Sequence, residues 1–170
     1  MGKISINGLK LSSELVLLQL ESSTNVEDSL AKVCRVLGDN SINILFISTT
    51  TSSGDLCGIL CIDSGKKHHA QQLISQLPNL KNTIKITSSV GLLTLFPHQS
   101  NLKLVAVVMQ QLGENKIPIY GMGSSIAAIT FVIDFHRLDD AAKVLLQCLE
   151  MPQSATPMKS RLKIRQVQKR

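Results

Sequence analysis

The stretch Leu37-Gly38-Asp39-Asn40-Ser41-Ile42-Asn43-Ile44 returns 75 residues later as Leu112-Gly113-Glu114-Asn115-Lys116-Ile117-Pro118-Ile119. The match extends outward on both sides. At the same offset Leu30, Val33, Cys34 and Leu37 align with Val105, Val108, Met109 and Leu112, the spacing of one apolar helix stripe. Leu18 and Leu20 align with Leu93 and Leu95, so the preceding strands correspond too. Further on the offset falls to 71. Ile62-Asp63 then aligns with Ile133-Asp134, and Ala70, Leu73, Ile74 and Leu77 with Ala141, Val144, Leu145 and Cys148. The second copy has lost four residues between its second and third strands, where a hairpin loop tolerates a change of length. A repeat of this period is an architectural signal, one supersecondary unit used twice.

Each copy reads alike. A strand (14–21; 90–96) leads through a polar loop into a helix (26–38; 101–113), and the glycine after Leu37 or Leu112 is the expected stop. A second strand (42–50; 117–122), a turn and a third strand (56–63; 126–134) follow. A second helix closes the unit (66–77; 138–149), and 83–87 supplies a fourth strand for the first copy. The order βαββαβ predicts an α+β fold of two ferredoxin-like units, antiparallel sheets with helices on one face.

Composition agrees with a buried aliphatic core. Of 170 residues, 44% are hydrophobic but only 3% aromatic, and there is no Trp. The net charge of +6 is uneven: residues 1–150 carry 12 basic and 12 acidic side chains, so the excess lies wholly in the tail. That tail holds Lys159, Arg161, Lys163, Arg165, Lys169 and Arg170 without an acid or an interleaved aromatic. A balanced body argues against a nucleic-acid partner, which would draw a basic stripe onto the folded part. No apolar run is long enough to span a bilayer and no secretory leader is evident, so no membrane partner is expected and the location reads as cytoplasmic.

The four cysteines, at 34, 57, 61 and 148, form no CxxC pair and have no histidine at metal-finger spacing. Cys57 and Cys61 fall on one face of a strand, and all four read as reduced thiols. No metal and no cofactor are expected. No Ser–His–Asp set, paired carboxylates or phosphate loop emerges, so no catalytic residue is assigned and the chain reads as a non-enzyme. Gly121-Met122-Gly123 lacks the third glycine and the following helix of a dinucleotide site. His68-His69 beside Lys66-Lys67 reads as a solvated basic helix end, and His136 as a turn residue.

The segment 40–49 (Asn-Ser-Ile-Asn-Ile-Leu-Phe-Ile-Ser-Thr) resembles the end of the first helix and the second strand of ACT domains. The segment 124–134 (Ser-Ser-Ile-Ala-Ala-Ile-Thr-Phe-Val-Ile-Asp) resembles a hairpin in the regulatory half of aspartokinases. The resemblance runs over about residues 3–150 and is to a tandem of ACT units without the kinase domain. It implies that 12–88 form the first unit and that 3–11 together with 89–150 form the second, the leading strand completing its sheet. Residues 151–170 are then a basic extension. A competing local reading makes 161–167 the last strand of the second unit, since Leu162 and Ile164 alternate with basic residues.

The resemblance also implies a ligand, an amino acid or a similar small molecule bound at an ACT–ACT interface between the loop after the first strand and the second strand of a neighbouring unit. A helix start offers free N–H groups and partial positive charge to a carboxylate. The candidates are Ser22, Ser23, Thr24, Asn25 and Asn43 in the first copy, and His98, Gln99, Ser100 and Asn101 in the second. Thr24 with Glu27 also fits a capping box, and Ser100 an N-cap, roles that need no ligand. Asn43 has no capping task. Both loops lack the glycine that ligand-binding members carry there, and Pro118 replaces the strand asparagine in the second copy. Three functions follow: amino-acid sensing, a purely structural homodimerisation or partner-enzyme docking module, and surface contact through the basic tail.

Overall fold

The computed structural model describes residues 3–20, 26–52, 55–77, 80, 83–96, 101–125, 127–152 and 158–159. In chain order these form β1 (Ile4–Ser5), β2 (Gly8–Leu11), β3 (Leu15–Leu20), α1 (Val26–Asp39), β4 (Ile44–Ser52), β5 (Asp55–Asp63), α2 (Lys67–Ser75), β6 (Ile84–Phe96), α3 (Leu102–Glu114), β7 (Ile119–Ser124), β8 (Ile129–Asp134), α4 (Leu138–Cys148), β9 (Leu149–Glu150) and β10 (Met158–Lys159). A turn of 3-10 helix leads into α2 and another into α4, each begun by an aspartate: the Asp63 carboxylate accepts from Gly65 N–H and the Asp134 carboxylate from His136 N–H.

The described residues divide into two compact units. Among the described residues the middle unit is Leu15–Ser88, and the outer unit combines the chain up to Glu14 with residues 89–159. In the middle unit the strand order is β6-β3-β5-β4, with β3/β5 and β5/β4 antiparallel. Its core takes alternate residues of β3, Val16, Leu18 and Leu20, together with Leu60 and Ile62 of β5. Val33 and Leu37 of α1 and Ala70 and Ile74 of α2 pack on that same face. Alternation puts side chains two apart on one side of a sheet, which is why both helices lie there.

In the outer unit β2, β6, β8 and β7 follow one another, all antiparallel. Strand β2 pairs with the second half of β6, Gly8 opposite Phe96 and Leu11 opposite Leu93. The core joins Leu9 and Leu11 of β2, Leu93 and Leu95 of β6 and Phe131 and Ile133 of β8 to Leu104, Val108 and Leu112 of α3 and to Ala141 and Leu145 of α4. Helix α4 lies so close to β6 that a Cβ on Gly91 would stand 2.4 Å from Leu138 Cδ1. Two short parallel pairings depart from the antiparallel pattern: β1 with β9, and β10 with β2. The second brings Met158 and Lys159 of the tail into the sheet, while 161–167 lie outside the described residues.

Local backbone features coincide at the 75-residue offset. A register shift falls between Ile44 and Phe46 in β4 and between Ile119 and Gly121 in β7, at matched positions. The helix ends also match, but the glycines do not make them. Helix α1 runs through Gly38 to Asp39 and α3 through Gly113 to Glu114. The left-handed residues are Ser41 (φ 54°) and Lys116 (φ 53°). Ser41 N–H donates to Gly38 O and Ile42 N–H to Leu37 O, and Lys116 and Ile117 repeat this with Gly113 and Leu112. Those paired bonds are the Schellman arrangement, and the apolar contact that accompanies it joins the buried pairs Leu37/Ile42 and Leu112/Ile117. The reversal is placed where isoleucine reaches the core, so the conformational cost falls on Ser41 and Lys116.

Another difference concerns the two strands expected at 83–87 and 90–96. They are one strand, β6, with Ser89 at φ 62° inside it. Ser88-Ser89 has no turn chemistry strong enough to break the strand, and the backbone deviates at a single residue instead.

Candidate functional site

Of the nine candidate ligand residues, Asn43 and Asn101 are described; Ser22, Ser23, Thr24, Asn25, His98, Gln99 and Ser100 lie outside the described residues. Asn43 sits between the left-handed turn at Ser41 and the start of β4, half-buried. Among the described residues its side-chain amide has no hydrogen-bond partner. Its neighbours Ile42 and Ile44 both pack into the middle-unit core, which fixes the backbone from which the amide projects. An amide offers both a donor and an acceptor, the pair that an α-amino acid's carboxylate and ammonium require.

Asn101 has a different task. It is the N-cap of α3, and its Oδ1 accepts the Leu104 N–H at 3.2 Å. Capping takes one lone pair of its oxygen and fixes the side chain against the helix start. The first turn of α3 carries no acid, so the helix end keeps its partial positive charge. Pro118, at the place matching Asn43, offers no side-chain polar group at all. The two copies thus present different chemistry at equivalent positions.

Burial separates inert groups from available ones. Among the described residues no buried polar side chain lacks a hydrogen-bond partner. Burial pushes the Cys61 thiol up to about 12, and raises Cys34 as well. Cys148 is raised by burial, opposed by a backbone hydrogen bond and by the charge of Lys3. None of these three is a thiolate near neutral pH. Cys57 and Cys61 share β5 four residues apart, hence one face, with Cys61 buried and Cys57 partly so. Among the described residues no group of three His, Cys, Asp or Glu gathers as a metal site, and no helix is long and apolar enough to cross a membrane.

A polar chain emerges that the sequence reading left unassembled. Ser89 Oγ donates to Glu14 Oε1 at 2.7 Å and stands 3.1 Å from His136 Nε2. Glu14 and Ser89 are 75 residues apart, the repeat offset, which was the available signal. The hydroxyl has one proton, and it goes to Glu14, so His136 donates to Ser89. A histidine acting as base on a serine needs the reverse direction, so this is not an activated nucleophile. At the basic start of α2, Lys66 makes no side-chain cap, and His68 and His69 are exposed.

In sequence, no family model and no curated protein matches this chain. In structure the agreement is extensive. The regulatory subunit of aspartate kinase from Thermus thermophilus, in its ligand-free form, superimposes with a TM-score of 0.75 at 14% identity, covering 85% of this chain and 99% of that one. A C-terminal regulatory domain of aspartate kinase from Porphyromonas gingivalis gives 0.63 at 10% identity, over 84% of this chain and 96% of that one. E. coli aspartokinase III in complex with lysine and aspartate, in the T-state, gives 0.63 at 20% identity. There the match covers 86% of this chain but 34% of the whole enzyme. The fold of this chain is that of the kinase-free regulatory region of aspartokinases, two ferredoxin-like ACT-type units matched over about 85% of its length.

Proposed function

We propose that this protein is a stand-alone regulatory module, not an enzyme, that binds an amino acid or a similar small ligand. The observation that carries the reading is Asn43: a half-buried amide without a partner among the described residues, held at the mouth of β4 by two core isoleucines. The likeness to regulatory subunits along nearly their full length supports it, as does the lysine-bound state of the E. coli enzyme. The loop residues Ser22, Ser23, Thr24 and Asn25 complete the proposed site of the first copy; His98, Gln99, Ser100 and Asn101 form the weaker site of the second, where Pro118 stands in place of the amide.

A ligand that binds only the folded state stabilises it by about 2.7 kcal/mol at a hundred times its Kd, which raises Tm by about 5–10 °C for a chain of this size. A thermal-shift panel of lysine, threonine, methionine and the branched-chain amino acids tests this. One amino acid should raise Tm, and Asn43→Ala should abolish the shift. A panel with no shift removes the sensing function.

A second reading, dimerisation or docking on a partner enzyme, has its own support. The edge strands β4 and β7 expose apolar side chains at matched positions: Leu45 (40%) and Tyr120 (41%), then Ile47 (49%) and Met122 (41%). Side chains two apart share one face of a strand, so each of these strands presents a short exposed apolar stripe, and a second copy of this chain offers a stripe of matching pattern. If Leu45→Lys and Ile47→Lys convert a dimer to monomers in sedimentation equilibrium without altering the Tm response, the two functions are separable.

A further inference from the structure

We infer that Glu14, Ser89 and His136 form a latch that holds β6 in a left-handed kink at the point where the chain returns to the outer unit. The chain leaves that unit after Glu14 and re-enters it at Ser89. At Ser89 the backbone has φ 62°, a conformation that L residues avoid and achiral glycine does not, and that persists only where surrounding contacts over-determine it. The contacts are present. The hydroxyl donates to Glu14 Oε1 at 2.7 Å, a charge-assisted bond, and accepts from His136 Nε2 across 3.1 Å.

Both partners are themselves held. His136 gives its backbone N–H to Asp134 Oδ1 at 2.9 Å and sets its ring edge-on to Phe135 at 5.7 Å. The segment bearing Glu14 is tied to β6 two residues upstream: Ser12 N–H donates to Leu92 O at 3.0 Å, and Leu92 N–H to Ser12 Oγ at 2.8 Å. The kink opposes two hydrogen bonds against one strained residue. With one bond charge-assisted, the two together outweigh the strain, so the closed form predominates and the open form is a minor state that amide exchange can read.

Amide hydrogen exchange on the full chain reads the latch, with Ser12 and Leu92 as reporters and the α3 amides as the reference for global opening. Ser89→Ala keeps the strain and removes both bonds. It should speed exchange at the reporters about tenfold while α3 is unchanged. Glu14→Gln and His136→Ala should each give about threefold or more. Ser89→Gly, which accepts the positive φ but lacks the hydroxyl, should fall between wild type and Ser89→Ala. The latch is refuted if Ser89→Gly exchanges as slowly as wild type, because the position is then merely strained. It is equally refuted if Glu14→Gln and His136→Ala both stay within about twofold of wild type. Should Ser89→Ala not fold, these two variants, altering groups at the surface or half-buried, decide the matter.

Discussion

Exchanging the residues that end α1 and α3 should stabilise the protein, and each step has a calculable size. Ser41 and Lys116 adopt φ 54° and 53°. A left-handed L residue costs about 1–2 kcal/mol, whereas glycine at such a position loses about 0.5–1 kcal/mol through its freer unfolded state. Both side chains are exposed, so their removal forfeits no packing. The net gain for Ser41→Gly or Lys116→Gly is about 0.5–1 kcal/mol. In the same helices Gly38 and Gly113 occupy helical positions where an added Cβ meets nothing within 4 Å. Gly38→Ala and Gly113→Ala should therefore each add about 0.5–1 kcal/mol, the intrinsic preference of alanine over glycine in a helix. Urea titration followed by circular dichroism measures this as a rise in midpoint at constant slope. The reasoning fails if Lys116→Gly destabilises by more than about 0.5 kcal/mol, since a glycine relieving a positive φ cannot do so. Parallel effects in both copies would show that the repeated helix ending is one physical device.

Other perturbations have distinct signatures. Gly91→Ala forces a methyl group to within 2.4 Å of Leu138 Cδ1, so β6 and α4 must separate; a loss of about 1–3 kcal/mol in urea titrations is expected. Cys61 is raised by burial to about 12 from 9.0, so the folded state keeps a proton that the unfolded state releases. Its contribution to stability is therefore full below pH 9 and is lost between pH 9 and about 12, by up to about 1.4 kcal/mol per pH unit. Cys61→Val should flatten that part of the urea-midpoint profile. Asn101→Ala removes a helix cap and should cost about 1 kcal/mol, while the response of the first-copy site that contains Asn43 persists. Asn43→Ala should show the opposite pattern, unchanged stability and a lost Tm shift, and equal stability losses in the two variants would give Asn43 a structural role.

The duplication, the strand and helix assignments and the faces they bury were legible in the amino-acid order. Apolar periodicity records which side of an element leaves water, and Val33, Leu37, Val108 and Leu112 are buried as their spacing requires, whereas Met109, expected on the same stripe, is 47% exposed and Leu104 takes the buried place instead. The polar character of Asn43 between two isoleucines was equally plain. Where each helix turns was not. Glycine marks conformational freedom, but the left-handed residue is chosen by the distance at which Ile42 or Ile117 must re-enter the core, and that distance belongs to the packed unit. The same holds for Asn101 in place of Ser100 as the described cap, and for β6 as one strand. Glu14, Ser89 and His136 stand far apart in sequence and carry no local pattern; only folding brings their polar atoms within hydrogen-bond reach. Sequence thus determined what each segment buries, because burial is periodic and local. Tertiary structure decided which polar groups meet and where the backbone bends, because those follow from closure of the chain on itself.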